Sequence, residues 1–361
     1  MFRRFYLHGA FVFWILGLLL LPASKSAQQS SAVATPTPLG SLVNVDGHLM
    51  HLSCSGRGSP TVILEAGTGA FSFDWGLVQP EVAKFTRVCS YDRAGQAWSE
   101  LGPQPRTIKQ KAYELHTLLT NAKVSGPYVL VGHSGGGYII RQFQTKYPNE
   151  VAGMVLAECG HENSLFLING RLVRMPELSK DRPIPEARSE MKDGERTIAP
   201  DVLQQIEKQL QLFGPATIDP PYNKLPPNIQ QIRLWALAQP AHLLADNNPF
   251  EGEEMAAMYN ERRSREYTLG DLPLIVLHRE VGGYKPIPKM ISPEQVTQLE
   301  AERVALNREL VSLSRNSAHI IARNSTHDIH LDRPELVVDA IRKVFEAARH
   351  HKSVKHAEIV G

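Results

Sequence analysis

The most informative segment of the chain reads Tyr128-Val129-Leu130-Val131-Gly132-His133-Ser134-Gly135-Gly136. Its first four residues are typical of a buried strand, and a helix-like segment follows the last glycine. A turn of this kind has no room for side chains at its outer glycines, and it holds the central serine in a strained conformation with the hydroxyl exposed. The segment therefore predicts Ser134 as a nucleophile and the backbone N–H of Gly135 as one donor to a developing oxyanion. The alternative is a glycine-rich turn that only packs tightly.

Strand-like and helix-like segments alternate on both sides of this turn. Asp46-Gly47 is a hairpin signal between two early strands, and the later strands are separated by helices, as in βαβ units. This order predicts an α/β fold with a mostly parallel central sheet flanked by helices. The strands are predicted at residues 42–45, 49–52, 61–65, 87–91, 128–131, 154–157, 272–277 and, as the last one, 318–322.

The alternation stops for roughly a hundred residues in the middle of the chain. Helix-like stretches at 202–213 and 229–238 are separated by proline-rich breaks, and the pattern there indicates no convincing strand. We therefore predict a helical cap inserted into the core. The predicted organisation is a first core part over 41–159, the cap over 160–271, a second core part over 272–350 and a tail over 351–361.

The N-terminus has the layout of a secretory signal peptide. Arg3 and Arg4 precede an apolar run over residues 10–21, which Pro22 ends before a group of small residues. A bilayer span takes roughly 20 apolar residues, so a retained membrane anchor is the alternative and not the prediction. We predict a signal peptide over 1–26 and a flexible leader over 27–40, with export to the periplasm or the outside and only transient contact with a membrane.

Charge and cysteine content give no indication of a nucleic-acid partner, a zinc site or a redox motif. The net charge is +2, which gives no indication of a nucleic-acid partner. The three cysteines, Cys54, Cys89 and Cys159, form no CxxC pattern, so neither a zinc site nor a redox motif is predicted.

The chain outside the cap resembles the α/β-hydrolase superfamily, and within it bacterial hydrolases that share four motifs. The superfamily implies the α/β-hydrolase fold and a Ser–acid–His chain order. The motifs stand here as Glu65-Ala66-Gly67-Thr68-Gly69, Tyr91-Asp92-Arg93-Ala94-Gly95, the turn around Ser134, and His327-Asp328-Ile329-His330-Leu331-Asp332-Arg333-Pro334.

The resemblance supplies a second oxyanion donor and a base. The second donor belongs to the loop after the third strand, where the backbone N–H of Thr68 is the candidate; a plain glycine-rich turn is the alternative. The catalytic histidine belongs on the loop after the last strand. His327 and His330 both lie there, and the position of His327 directly after the strand favours it.

The acid is harder to assign. Most relatives carry it four residues past the position of His278, but Gly282 stands there and Glu280 comes two residues early. A second location in this fold follows the sixth strand, where Glu158 ends a strand that runs to the functional edge of the sheet. We therefore predict Glu158 as the acid that orients His327, with Glu280 second and Glu162 third.

The usual strand order of this fold also implies a disulfide. The strands that carry Cys54 and Cys89 would be neighbours, so a bond between them is predicted, with Cys159 left free. Two buried, reduced cysteines in adjacent strands are the alternative.

These residues together predict a serine hydrolase that cleaves a carboxylic ester or a related acyl bond of a small-molecule substrate through an acyl-enzyme, without a metal or an organic cofactor. A lyase on the same Ser–His–acid scaffold and a non-catalytic ligand-binding protein are the alternatives. The cap sequence indicates neither the substrate nor the acyl chain length, and the oligomeric state stays open.

Overall fold

The computed structural model describes most of the chain from residue 35 onward. The predicted signal peptide and most of the leader fall outside the described residues, and export stays a prediction. Among the described helices, none combines the length and the apolar character that crossing a membrane requires. The described residues are 35–192, 194–264, 268–280, 282, 291–354 and 359–360.

Eleven strands are described, and nine of them form the central sheet in the order β1-β2-β4-β3-β5-β6-β9-β10-β11. In chain order they are β1 (Ser41–Val45), β2 (His48–Ser55), β3 (Thr61–Glu65), β4 (Val88–Tyr91), β5 (Tyr128–His133), β6 (Val151–Ala157), β7 (Leu165–Ile168), β8 (Arg171–Arg174), β9 (Leu274–Arg279), β10 (Ser317–Ala322) and β11 (Ile359–Val360). Within the sheet, β2 is antiparallel to both β1 and β4, and the other pairs are parallel. The predicted α/β fold with a mostly parallel sheet is confirmed.

Helices cover both faces of the sheet. The described α-helices are α1 (Gln79–Val82), α2 (Ile108–Asn121), α3 (Gly136–Lys146), α4 (Pro200–Phe213), α5 (Pro227–Leu237), α6 (Glu251–Ser264), α7 (Pro293–Val311), α8 (Ile329–Asp332) and α9 (Pro334–His350), of which α4, α5 and α6 belong to the insertion. Apolar side chains of α2, α3 and α7 pack on one face, and those of α1 and α9 pack on the other.

Strand β5 shows why the sheet needs both layers. Leu130 belongs to the layer under α2 and α3, whereas Val129 and Val131 belong to the layer under α9. Successive side chains of a strand point to opposite faces, so an unbroken apolar run is buried on both. Each fully buried side chain of this size stabilises the fold by about 1.5–3 kcal/mol relative to an exposed one.

The insertion is not purely helical. The predicted helices at 202–213 and 229–238 are confirmed as α4 and α5. The prediction that this region holds no strand was wrong, because β7 and β8 form an antiparallel hairpin there. Its turn, Asn169-Gly170, has positive φ at both residues (50° and 76°), which is the geometry that an Asn-Gly pair favours in two-residue hairpins. The boundaries of the cap stay a prediction.

The sheet also continues beyond the strand predicted as the last one. β11 pairs in parallel with β10, with Ile359 opposite Ile320, inside the region predicted as a tail. Two residues are too short for the alternation of apolar and polar side chains to be recognised in a sequence.

The predicted disulfide is confirmed. Cys54 lies directly opposite Cys89 in the pairing of β2 with β4, and their Cα atoms are 4.1 Å apart. Cys159 is free and buried. Burial raises the pKa of its thiol to about 12, so the thiolate that would react is scarce at neutral pH.

Candidate active site

Ser134 stands at the turn between β5 and α3 with a φ of 51°. A positive φ is uncommon for a residue with a side chain, and here backbone hydrogen bonds to Ala157, Gly137 and Gly160 hold it. The N–H of Ser134 donates to Ala157 O at 3.2 Å, and its carbonyl accepts from the N–H of Gly137 at 3.1 Å. The turn therefore presents the side chain beyond the carboxyl end of β5.

The glycines around Ser134 are required for steric reasons. A Cβ on Gly132 would lie 2.9 Å from Gly137 N, and one on Gly136 would lie 2.6 Å from Ala66 O. Real Cβ atoms do not approach backbone this closely, so glycine at 132 lets β5 pass close to the start of α3, and glycine at 136 lets the turn meet the loop at Ala66.

That loop brings Thr68 to the N-terminus of α3. A Cβ on Gly135 would lie 2.2 Å from Thr68 Oγ1 and 3.5 Å from Thr68 N. Both residues line the same cavity as Ser134. The two candidate oxyanion donors are thus adjacent, on two different loops.

His327 lies on the loop between β10 and α8, and it lines this cavity too. Its carbonyl accepts a hydrogen bond from Nε2 of His133 at 2.9 Å. His133 precedes the serine, so this bond ties the loop of His327 to the turn of Ser134.

His330 occupies a different environment. It is buried, with its ring 4.9 Å from that of Trp75 and 4.5 Å from that of His133. Burial keeps its pKa well below the usual value. His330 is therefore part of the packing behind the loop.

Glu158 comes closest to His327 among the three candidate acids. Its Oε1 is 4.0 Å from His327 Nδ1. Glu158 follows β6 with a φ of 47°, and its N–H donates to Leu277 O at 2.6 Å. This distance is longer than a hydrogen bond.

Two arginines that sequence reasoning missed set the charge of Glu158. The backbone N–H of Arg279 donates to Oε2 at 2.7 Å, and Oε1 lies 3.2 Å from Arg279 Nε and 3.6 Å from Arg303 Nη1. Burial alone would raise the pKa of this carboxyl, but His327 and the two arginines outweigh it and lower the pKa to about 2. Glu158 is therefore ionised at neutral pH. Arg279 ends β9, directly after His278, so its position at the carboxyl edge of the sheet could have been noticed in the sequence. Arg303 lies within α7, and no sequence pattern distinguishes it from the other residues of that helix.

The other two candidate acids have different partners. Glu280 is exposed, and its Oε2 accepts from the backbone N–H of Asn324 at 3.2 Å. Glu162 is buried between Arg141, at 2.8 Å, and Arg262, at 2.5 Å. Glu280 therefore binds the backbone of the loop after β10, and Glu162 joins α3 to α6 through the two arginines.

One group of described side chains has the spacing of a metal site. His133, Asp328 and His330 are buried and offer ligand atoms within 4.8 Å of one another. However, His133 Nε2 bonds to His327 O, and Asp328 Oδ1 accepts from the Tyr222 hydroxyl at 3.0 Å. These hydrogen bonds account for the close approach of the three side chains without a bound ion, and they orient the loop of His327.

The cavity beyond Ser134 has a volume of about 690 Å³ and lies between core and cap. A cavity of this volume can accommodate a small organic molecule. Its apolar lining comes from the core at Ile108, Ile139, Leu299 and Leu306, from the hairpin at Leu165 and Phe166, and from the cap at Val202, Ile206, Leu243 and Leu244.

Comparison with known proteins agrees with this architecture. Residues 62–340, more than half of the chain, match the model of the alpha/beta hydrolase family. The chain belongs to this family. An uncharacterized protein of Bacillus subtilis, YqjL, is 25% identical over 307 residues, which cover 84% of this chain and 91% of that protein.

Two solved structures have the same fold. A thermophilic esterase from Thermogutta terrifontis superposes with a TM-score of 0.53 and 19% identity, over 85% of this chain and 98% of its own. The enol-lactonase from Burkholderia xenovorans gives a TM-score of 0.54 and 15% identity, over 84% of this chain and 99% of its own. This alpha/beta hydrolase family member is a hydrolase whose candidate site lies at the carboxyl edge of β5, β6 and β10.

Proposed function

We propose that this hydrolase cleaves carboxylic esters through an acyl-enzyme, with Ser134 as nucleophile, His327 as general base and Glu158 as the acid that orients the base. One observation carries the proposal. Ser134, His327, Glu158 and the two candidate oxyanion donors line a single cavity, although they come from four separate segments, after β3, β5, β6 and β10.

The mechanism follows from this arrangement. Ser134 Oγ attacks the ester carbonyl while His327 accepts its proton. The carbonyl oxygen becomes an oxyanion and receives hydrogen bonds from the N–H groups of Gly135 and Thr68. The tetrahedral intermediate collapses, the leaving alcohol takes the proton from His327, and Ser134 is left acylated. A water molecule, deprotonated by His327, then releases the carboxylic acid.

Glu158 has two functions in this cycle. An ionised carboxylate near Nδ1 holds the imidazole in the tautomer that leaves Nε2 free to accept a proton, and it stabilises the imidazolium that forms. The low pKa of Glu158, about 2, supports a carboxylate that stays charged throughout.

The cavity lining combines the apolar side chains described above with polar ones such as Gln205, Gln209 and Asn248, so it can hold an apolar acyl or alcohol group of modest size beside polar substituents. The names of the two structural neighbours, an esterase and an enol-lactonase, are consistent with ester or lactone substrates. We propose small acyl esters as the substrate class.

We also propose export from the cytoplasm. The disulfide between Cys54 and Cys89 supports this, because such bonds persist in oxidising compartments. Fractionation of its native host tests export, which recovery in the cytoplasm alone would contradict. N-terminal sequencing of the recovered protein tests cleavage: a first residue near position 27 supports it, and an intact Met1 contradicts it.

The proposed activity is tested with a fluorophosphonate probe and a series of p-nitrophenyl esters of increasing acyl length. We expect stoichiometric labelling, with the label mapped by mass spectrometry to the peptide that contains Ser134, and a maximum of kcat/KM at one range of chain length. Absence of both labelling and ester hydrolysis in folded protein would contradict the proposal.

A further inference from the structure

The motif Tyr91-Asp92-Arg93-Ala94-Gly95 has no part in the proposed catalytic triad, yet its arginine contacts the loop that carries Thr68. Arg93 is buried, with 2% of its surface exposed. Its Nη1 donates to Glu65 Oε1 at 2.6 Å and to Ala66 O at 2.7 Å, and its Nη2 donates to Gly67 O at 2.6 Å. A planar guanidinium can hold several acceptors in fixed directions at once.

The bond to Gly67 fixes the direction of the Thr68 N–H. The carbonyl of Gly67 and the N–H of Thr68 belong to one peptide unit, which is trans. In a trans peptide these two groups point to opposite sides. Since Arg93 holds the carbonyl on its own side, with a turn bond from Ala70 N at 3.1 Å in support, the N–H of Thr68 is directed away from Arg93.

On the other side of Thr68, the loop is held by the cap. The N–H of Gly69 donates to Asp246 Oδ2 at 2.8 Å. Asp246 follows the short 3-10 helix Pro240–Leu243, and it is 177 residues from Gly69 in the chain. Gly69 has a φ of +68°, a conformation that a flexible glycine leaves easily unless both neighbours are fixed.

Asp246 also joins the loop to Arg93. The same Oδ2 lies 3.3 Å from Arg93 Nη2 and accepts from Gln96 Nε2 at 3.2 Å, while Oδ1 accepts from Lys111 Nζ at 2.6 Å. Although burial disfavours the charge, Arg93 and Lys111 hold the pKa of Asp246 well below its usual range. The cap thus supplies a carboxylate to two buried cations of the core.

We infer that Arg93 and Asp246 are positioning residues for the oxyanion hole, and that the cap residue Asp246 completes the hole only when the cap is seated on the core. Arg93 sets the direction of the Thr68 N–H from one side, and Asp246 prevents the loop from turning at Gly69 on the other. The inference rests on the proposed function. It assigns to the cap a part in catalysis as well as in shaping the cavity.

The experiment compares Asp246→Asn with Glu254→Gln in the full chain. Asp246→Asn keeps the shape and removes the charge that pairs with Arg93 and Lys111. Glu254→Gln is the matched control, because Glu254 is a buried cap carboxylate whose described hydrogen-bond partners are the backbone N–H groups of Ile108, at 2.9 Å, and Lys109, at 3.1 Å, and Nδ2 of Asn248, at 2.7 Å, none of which belongs to the Thr68 loop. Each rate is expressed per active site, counted by complete fluorophosphonate labelling.

We expect Asp246→Asn to lower kcat by about 10- to 100-fold with KM changed less than about threefold, because displacement of an oxyanion donor weakens transition-state binding and leaves substrate binding intact. Affinity for a trifluoromethyl ketone, which binds as an anionic tetrahedral adduct, should fall by the same factor. The analogue in which a CH2 group replaces the ketone carbonyl cannot form this adduct, and its affinity should not change. Glu254→Gln should lower thermal stability and leave kcat per site within about threefold.

An Asp246→Asn variant that keeps wild-type kcat per site and wild-type affinity for the ketone would overturn the inference and leave the proposed function standing. A wild-type protein that is not labelled at Ser134 would overturn the proposed function instead. If Asp246→Asn does not fold, Asp246→Glu keeps the charge but moves the oxygens by one methylene. The same split between kcat and KM is then expected, and wild-type kcat per site would again contradict the inference.

Discussion

At the scale of single residues, the choice of Glu158 as the acid can be tested most sharply against Glu280. Glu158→Gln keeps a similar shape but favours the wrong imidazole tautomer, so we expect kcat to fall by about three to four orders of magnitude. Glu280→Gln is the matched control. The Oε2 of Glu280 accepts from the backbone N–H of Asn324, and a glutamine keeps an oxygen that can accept the same bond, so kcat should change little. A larger loss in Glu280→Gln than in Glu158→Gln, measured on one ester, would reverse the assignment.

The low pKa of Glu158 also predicts a pH dependence of stability. In the fold the pKa is lowered from 4.5 to about 2, so the ionised form is stabilised relative to the unfolded chain. This contribution is fully present above about pH 4.5 and is lost as pH falls toward 2. The difference in unfolding free energy between wild type and Glu158→Gln should therefore shrink between pH 5 and pH 3. A difference that stays constant or grows on acidification would contradict the shift.

The two histidines of the last loop should respond differently to substitution. His327→Ala should be inactive and nearly as stable as wild type, because its side chain is 17% exposed and lines the cavity. His330→Ala should lower the melting temperature, since the ring is buried between Trp75 and His133, and should retain much of the activity per labelled site. The opposite ranking in a side-by-side assay would exclude His327 as the base.

At the scale of elements, the disulfide between β2 and β4 should contribute measurably to stability. It closes a loop of 35 residues, which corresponds to about 3–4 kcal/mol in the chain-entropy model. The double variant Cys54→Ser, Cys89→Ser should lose stability of this order in urea denaturation, and Cys159→Ser serves as the single-cysteine control. Thiol titration of the denatured, unreduced protein should give one reactive thiol; three would contradict the bond.

Sequence patterns predicted the elements that are long and strongly patterned. Thr107 and Ser292 stand three residues before Gln110 and Gln295, a spacing typical of a helix N-terminus, and the structure shows their side chains accepting from Gln110 N and Gln295 N. The hairpin β7–β8 was missed although Asn169-Gly170 is a strong turn signal, because its flanking residues alternate only weakly between buried and exposed positions. β11 has two residues and carries no periodicity at all.

At the scale of the whole molecule, the part of the site that could be predicted is the part fixed by topology. Parallel strands end at one edge of the sheet, so residues placed after β5, β6 and β10 must meet there. The contributions of Arg303 and Asp246 could not be predicted, because they depend on how α7 and the cap fold onto that edge. Such contacts join residues far apart in the chain, and no local pattern encodes them.

The role of Ser134 as the nucleophile of an acyl-enzyme is tested most directly by comparing wild type with Ser134→Ala. Ser134→Ala removes the attacking oxygen and leaves the turn in place, so ester hydrolysis should fall on the order of a millionfold. Rapid acid quench of wild type during turnover, followed by mass spectrometry, should show the acyl group on the peptide that contains Ser134, and the variant should show none. A purified, folded Ser134→Ala that keeps a tenth of the wild-type rate would contradict the account.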